Sequence, residues 1–168
     1  KVSINHVLLS YSTGKTYKGY KLSQLTSNPA MYVRNLDLCE IHDTSEAADS
    51  FEIEKKSFAI ADFGLNTSGT INFTAECDND ATIILIFDEI REKNGDVNFR
   101  RVGSYGIATF RVEKGTHDLY TFEPYTFQFV KIYAIGANVI ISNLHSRFFG
   151  DSATAKRFRG NDEALERI

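Results

Sequence analysis

Ile71-Asn72-Phe73-Thr74-Ala75-Glu76-Cys77, then Asp78-Asn79-Asp80, then Ile83-Ile84-Leu85-Ile86-Phe87: this stretch decides the fold. In its first part, apolar residues alternate with polar ones. A period of two places every second side chain on one face of a strand, so one face is buried and the other solvated. Asp-Asn-Asp is a turn signal, because short polar side chains bond their own backbone and tolerate turn geometry. The run after it is apolar throughout and of strand length. That predicts a strand buried on both faces.

The same period extends outward. Phe51 and Ile53 alternate with Glu52 and Glu54, and Ala108, Phe110 and Val112 alternate with Thr109, Arg111 and Glu113. Residues 127–135 and 139–144 are rich in β-formers. Asn94-Gly95-Asp96, Lys114-Gly115-Thr116 and Gly136-Ala137-Asn138 mark further turns. Pro124 fits a strand boundary, where its missing N–H costs no ladder bond. Short strands separated by polar turns predict an all-β fold: an antiparallel β-sandwich, jelly-roll-like.

The ends are less regular. Residues 1–50 form an irregular N-terminal segment, with strands of the same sandwich expected over residues 4–11 and 17–25. Residues 51–150 are the sandwich itself. Residues 35–54 hold seven acids and no Lys or Arg. We expect a solvated loop there, with a cation site as the sharper alternative. Residues 151–168 read as a linker and the truncated start of a helical domain. Asn161 or Asp162 is a good N-cap, and Ala164, Leu165 and Ile168 follow at helical spacing. The expectation is a short C-terminal helix whose packing partner belongs to a longer chain. Lys1 in place of Met points the same way.

Composition excludes more than it names. The chain has 168 residues and a net charge of −3. That suffices for one domain with a sizeable core. No basic run offers a footprint for nucleic acid, and no 18-residue apolar stretch spans a membrane. Cys39 and Cys77 form no CxxC or Cys/His cluster, so they read as two free, buried thiols, although one bridge is arithmetically possible. His6, His42, His117 and His145 are scattered, without metal-ligand spacing. No metal or cofactor is expected.

Catalytic signatures are also missing. There is no G-x-S-x-G, and Gly103-Ser104-Tyr105-Gly106 lacks phosphate-loop spacing. Asp88 and Glu89 are the tempting carboxylate pair for glycoside hydrolysis, but neighbours on a strand point to opposite faces. Asp78-Asn79-Asp80 lacks the rest of a calcium loop. Asn66-Thr67-Ser68 and Asn72-Phe73-Thr74 match the glycosylation sequon, which is frequent by chance. No catalytic residue is therefore named. The loop 89–101 is where hydrogen-bonding groups converge. Glu89, Arg91, Asn94 and Arg100 from it, with Tyr105 beside it, are the candidate carbohydrate-binding residues, and a plain surface loop is the alternative. Tyr120 and Tyr125 are further rings a sugar face could use.

Several segments, in order, resemble one family. Ala61-Asp62-Phe63-Gly64 with Gly69 and a strand after it resembles a DFG-x4-G opening. The strand 84–89 ending in Glu89, followed by Asn94-Gly95, resembles a strand and charged loop. Phe122-Glu123-Pro124 with Phe127, Phe129, Val130 and Ile132 resembles a late strand, although Lys131 stands where an Arg-Tyr pair is usual. Phe158 through Ile168 is similar to the opening of a helical barrel. The family is the bacterial α-L-rhamnosidases, and the resemblance covers residues 58–168. It implies a non-catalytic β-sandwich directly preceding a six-hairpin catalytic barrel. Such a fragment would have no activity of its own and would belong to an inverting glycoside hydrolase. Its partner would be that barrel, with carbohydrate as a further contact and a periplasmic or extracellular location. An autonomous carbohydrate-binding module and a protein-interaction sandwich without a sugar role remain the alternatives.

Overall fold

The computed structural model describes residues 5–7, 10–16, 39–46, 49–97 and 106–148, the first three stretches as backbone only. Ten strands are described: β1 (Asn5–Val7), β2 (Ser10–Thr16), β3 (Cys39–Glu46), β4 (Ser50–Ile53), β5 (Ser57–Cys77), β6 (Ala81–Asp88), β7 (Ile107–Val112), β8 (Gly115–Tyr120), β9 (Tyr125–Ile135) and β10 (Val139–Phe148). All pairings are antiparallel, and among the described residues there is no helix. The strand expected over 17–25 and the C-terminal helix lie outside the described residues.

β5 organises the molecule, because it belongs to two layers. Its first part pairs with β2 and β9, and the layer continues through β6 to β7. Its last part pairs with β10 and β8, and β10 also carries β1 and β4. The crossing falls at residues 63–69. There four residues of β5 face one residue of β9, since Asp62 pairs with Phe129 and Thr67 with Phe127. Such a bulge bends a strand.

The DFG sequence makes this bend. The Asp62 carboxylate accepts the Gly64 N–H at 2.7 Å, a local turn bond. Gly64 has φ 74°, a left-handed conformation that a Cβ would penalise. Phe63 turns inward, edge-on to Phe127 at 5.5 Å. Gly69 then passes so close to β10 that a Cβ would sit 2.2 Å from the Arg147 carbonyl oxygen. The motif that resembled a family signature is, in physical terms, a corner.

The core lies between the layers. Ala59, Ala61, Ile83, Leu85, Val130 and Ile132 face it from one side, and Ile71, Phe73, Ala75, Val139 and Ile141 from the other. Phe73 on β5 meets Phe110 on β7 edge-on at 5.5 Å, although these strands are not neighbours in the network. β10 changes phase as it crosses this core. Asn143 takes φ 51° where the register shifts, so inward positions run Val139, Ile141 and then Leu144.

A second cluster covers the opposite face of the first layer: Phe58, Ile60, Ile84, Ile86, Phe129, Tyr133 and Ile135, with Val97 over them. The apolar run of β6 is therefore buried on both faces, as its sequence predicts.

Residues 39–46 correct one expectation. The acidic segment 35–54 is not a loop there, because it contains β3, while β4 is the strand that the alternation of Phe51 and Ile53 with Glu52 and Glu54 predicts. Among the described residues β3 pairs with β2 alone, and an edge strand tolerates charge that a central strand does not. In β4 the acids take the exposed places between buried Phe51 and Ile53.

Cys77 is a free, buried thiol. Burial raises its pKa, and Asp78 and Glu76 add to the effect. A raised acid pKa stabilises the fold below the ordinary thiol value, and that contribution is lost as pH rises through the folded value. We expect Cys77 in the native protein to react with a disulfide reagent near pH ~8 roughly 100-fold slower than after unfolding. Mass mapping of rapid native labelling to Cys77 would contradict its burial.

Candidate functional site

The register gathers several loops at one end of the sandwich. The β5 corner, the segment after β6, the β8–β9 connection and the end of β10 all meet there, since Gly69 pairs with both Tyr125 and Phe148 and Asn72 pairs with Tyr120. The opposite end holds Glu54, Lys55, Lys56, Asp78, Asp80 and Lys114.

At the first end, residues 91–97 form a tight hairpin. Arg91 and Val97 make the closing bridge. Gly95 N–H donates to the Glu92 carbonyl, and Glu92 N–H donates to the Asp96 carbonyl, both at 2.8 Å. Gly95 takes φ 84°, as a short hairpin with a glycine bulge requires. The Asn-Gly signal is thus a real turn.

The candidate carbohydrate-binding residues fall on and around this hairpin. Glu89 is half-buried just after β6, and its N–H donates to Asp88 Oδ1 at 2.7 Å. The Arg91 guanidinium lies over the Phe129 ring, 4.8 Å from its centre. Asn94 is exposed, and its Oδ1 accepts the Asp96 N–H at 3.1 Å. Arg100 and Tyr105 lie outside the described residues. Asp88 is buried, so Asp88 and Glu89 occupy different environments. Asp62, Phe129 and Asp88 lie in one row across β5, β9 and β6, with Phe129 between the two acids in register and Arg91 over its ring. Among the described residues, no three His, Cys, Asp or Glu side chains could hold a metal ion.

The two tyrosines differ. Tyr125 stacks on Phe87 with centroids 4.1 Å apart and planes 3° apart, and its hydroxyl donates to the Ile107 carbonyl at 3.3 Å. Burial, and then Glu123, push its pKa up. One face of that ring is committed to the core. Tyr120 is 66% exposed.

The feature that composition did not reveal is apolar. Six large hydrophobic side chains are exposed among the described residues, and five of them (Leu65, Ile90, Tyr120, Phe122 and Phe148) sit at this one end. Phe122 is 93% exposed. A signal for it existed: Tyr120-Thr121-Phe122 continues apolar spacing into a connection just before Pro124, where polar residues are the norm.

No protein-family model and no curated protein sequence matches this chain. Solved structures do. A rhamnosidase from Klebsiella oxytoca with rhamnose bound is similar over 98% of this chain and 33% of that one, at 13% identity and a TM-score of 0.62. A GH78 family rhamnosidase of Bacillus sp. GL1 is similar over 62% of this chain and 10% of that one, at 14% identity and a TM-score of 0.50. This chain therefore spans about a third of the length of the first and a tenth of the second, and what it shares with these two glycoside hydrolases is the fold of one part.

Proposed function

We propose that the chain is an accessory, non-catalytic β-sandwich domain of an α-L-rhamnosidase-like glycoside hydrolase. Its partner is a helical catalytic domain of the same parent chain, and the apolar end is the surface that meets it. The observation that carries this reading is the gathering of Leu65, Ile90, Tyr120, Phe122 and Phe148 at one end while the opposite end is charged. Exposed apolar side chains gathered at one end are costly in water and favour an interface there. β10 ends at Phe148 inside this patch, so a domain following β10 starts beside it. The likeness to part of two much longer rhamnosidases supports the same division of labour. The parent enzyme acts in the periplasm or outside the cell.

The test is hydrolysis of p-nitrophenyl α-L-rhamnoside by the longer parent and by this chain alone. We expect turnover by the parent and none by the chain. Turnover by the chain alone would overturn the accessory role. An inactive parent would remove the rhamnoside.

A second reading, an autonomous carbohydrate-binding module, is favoured by Tyr120 and the hairpin of Arg91 and Asn94 lying at the same end. It predicts saturable binding of glycans by this chain alone. Calorimetric titration that stays flat to millimolar ligand would remove it.

A further inference from the structure

Asn94 is followed by Gly95, and no other asparagine in the chain precedes a glycine. That pair has a covalent chemistry of its own. The backbone nitrogen after an asparagine can attack the side-chain carbon Cγ. A C–N bond forms to Cγ, the bond from Cγ to the amide nitrogen breaks, and ammonia leaves with the proton that the backbone nitrogen gives up. Water then opens the five-membered succinimide. Opening at one carbonyl gives aspartate, and opening at the other gives isoaspartate, whose backbone is one carbon longer. Water is the only co-reactant. Glycine favours the ring closure, because it has no side chain to crowd the ring and its backbone turns freely.

We infer that Asn94-Gly95 is a modification site that the hairpin 91–97 keeps shut: Asn94 stays asparagine in the folded chain and converts to aspartate and isoaspartate in the unfolded one. Burial is not what protects it, because Asn94 is exposed and water reaches it. Two hydrogen bonds do. The Gly95 N–H donates to the Glu92 carbonyl at 2.8 Å, so the proton that must leave is already committed. Asn94 Oδ1 accepts the Asp96 N–H at 3.1 Å, which ties down the carboxamide whose carbon must swing onto the Gly95 nitrogen. The backbone is fixed as well, with Gly95 at φ 84° and the bridge from Arg91 to Val97 closing the turn. Ring closure requires both bonds to be given up. Both lie inside the hairpin, so the protection needs only that the hairpin be formed.

The two products differ in what the hairpin accepts. Aspartate keeps an oxygen where Asn94 Oδ1 accepts the Asp96 N–H, and Asp-Gly suits such a turn as Asn-Gly does. Isoaspartate inserts a carbon into the backbone between residues 94 and 95. The bonds from Gly95 to Glu92 and from Glu92 to Asp96 then fall out of register. A chain that has once stood unfolded therefore carries a lesion in this turn that refolding does not undo. The inference does not depend on the parent enzyme or its sugar.

The test is to hold the chain in warm, mildly alkaline buffer, native in one sample and unfolded in guanidinium in the other. Trypsin then releases residues 94–100, and mass spectrometry reads the exchange of the amide NH2 for OH at Asn94. We expect conversion in the unfolded sample, with isoaspartate the major product, and a rate about tenfold or more lower in the native one, since two hydrogen bonds must be surrendered there. Equal rates in the two samples would overturn the protection. A variant separates the products. Asn94→Asp is expected to melt with the native protein, while the isoaspartate form, isolated by chromatography and refolded, is expected to lose exchange protection at the Gly95 amide. An isoaspartate form as protected there as the native protein would overturn the lesion, and so would an Asn94→Asp protein that loses that protection.

Discussion

Gly69→Ala is expected to remove a large share of this domain's margin of stability. An added Cβ would stand 2.2 Å from the Arg147 carbonyl oxygen and 2.9 Å from its carbon, both backbone atoms. No flexible side chain can move aside. Either β10 shifts off β5 at Thr70–Arg147 and Gly69–Phe148, or the corner opens. Overpacking of this kind costs about 3 kcal/mol, a large share of the 5–15 kcal/mol that holds a typical domain. For a chain of this size that lowers Tm by roughly 10 °C. Gly115 is the control. Unlike Gly69 it has a positive φ, 132°, but the nearest atom to its Cβ is the tip of His117 at 3.9 Å. Gly115→Ala should cost only backbone strain, about 1 kcal/mol. Guanidinium unfolding of both variants checks the contrast. Equal losses would mean that contact with β10 is not what fixes Gly69.

That contrast shows where sequence reading stops. The β6 run Ile83–Phe87 was legible because local hydrophobicity alone decides it: no surface strand carries five apolar residues in a row. The Asn94-Gly95 turn was legible because φ at Gly95 is a local property. The corner was not. Phe58-Ala59-Ile60-Ala61 precedes the DFG motif as a short apolar run, and nothing local says that it joins residues 67–77 in one strand. The contact that forces Gly69 comes from a residue 78 positions further on, Arg147. β3 was misread because its acids argue for solvent, and pairing with β2 overrides that at an edge. The buried ion pair of Lys131 with Asp96 was hidden for a related reason. Lys131 looks like the exposed interruption of an apolar strand, and its partner lies 35 residues away on a turn. Of the candidate binding residues, the hairpin brings Arg91 and Asn94 into one small structure, with Glu89 just before it. Their spacing in sequence was enough for that. The apolar end needed the fold, because Leu65, Ile90, Tyr120 with Phe122, and Phe148 come from four different segments.

Two phenylalanines five residues apart separate stability from docking. Phe127 is wholly buried and touches both Phe63 and Phe87, with centroids at 5.5 and 5.4 Å. Phe127→Ala is expected to cost about 4 kcal/mol, the transfer of the ring plus the cavity left beside its two aromatic partners. Phe122 keeps 93% of its surface in water. In this chain Phe122→Ala should stay within about 0.5 kcal/mol of the native protein. The larger consequence lies in the parent. If the apolar end seats a catalytic domain, the same substitution removes an aromatic anchor, and such anchors carry about 2 kcal/mol or more of an interface. The parent enzyme with Phe122→Ala should then melt several degrees lower and lose activity faster on heating, while Phe127→Ala destabilises chain and parent alike. A Phe122→Ala substitution silent in both would leave the sandwich intact and remove the apolar end as its docking surface. A loss confined to the parent has no source inside this chain, because nothing in the isolated sandwich depends on that ring.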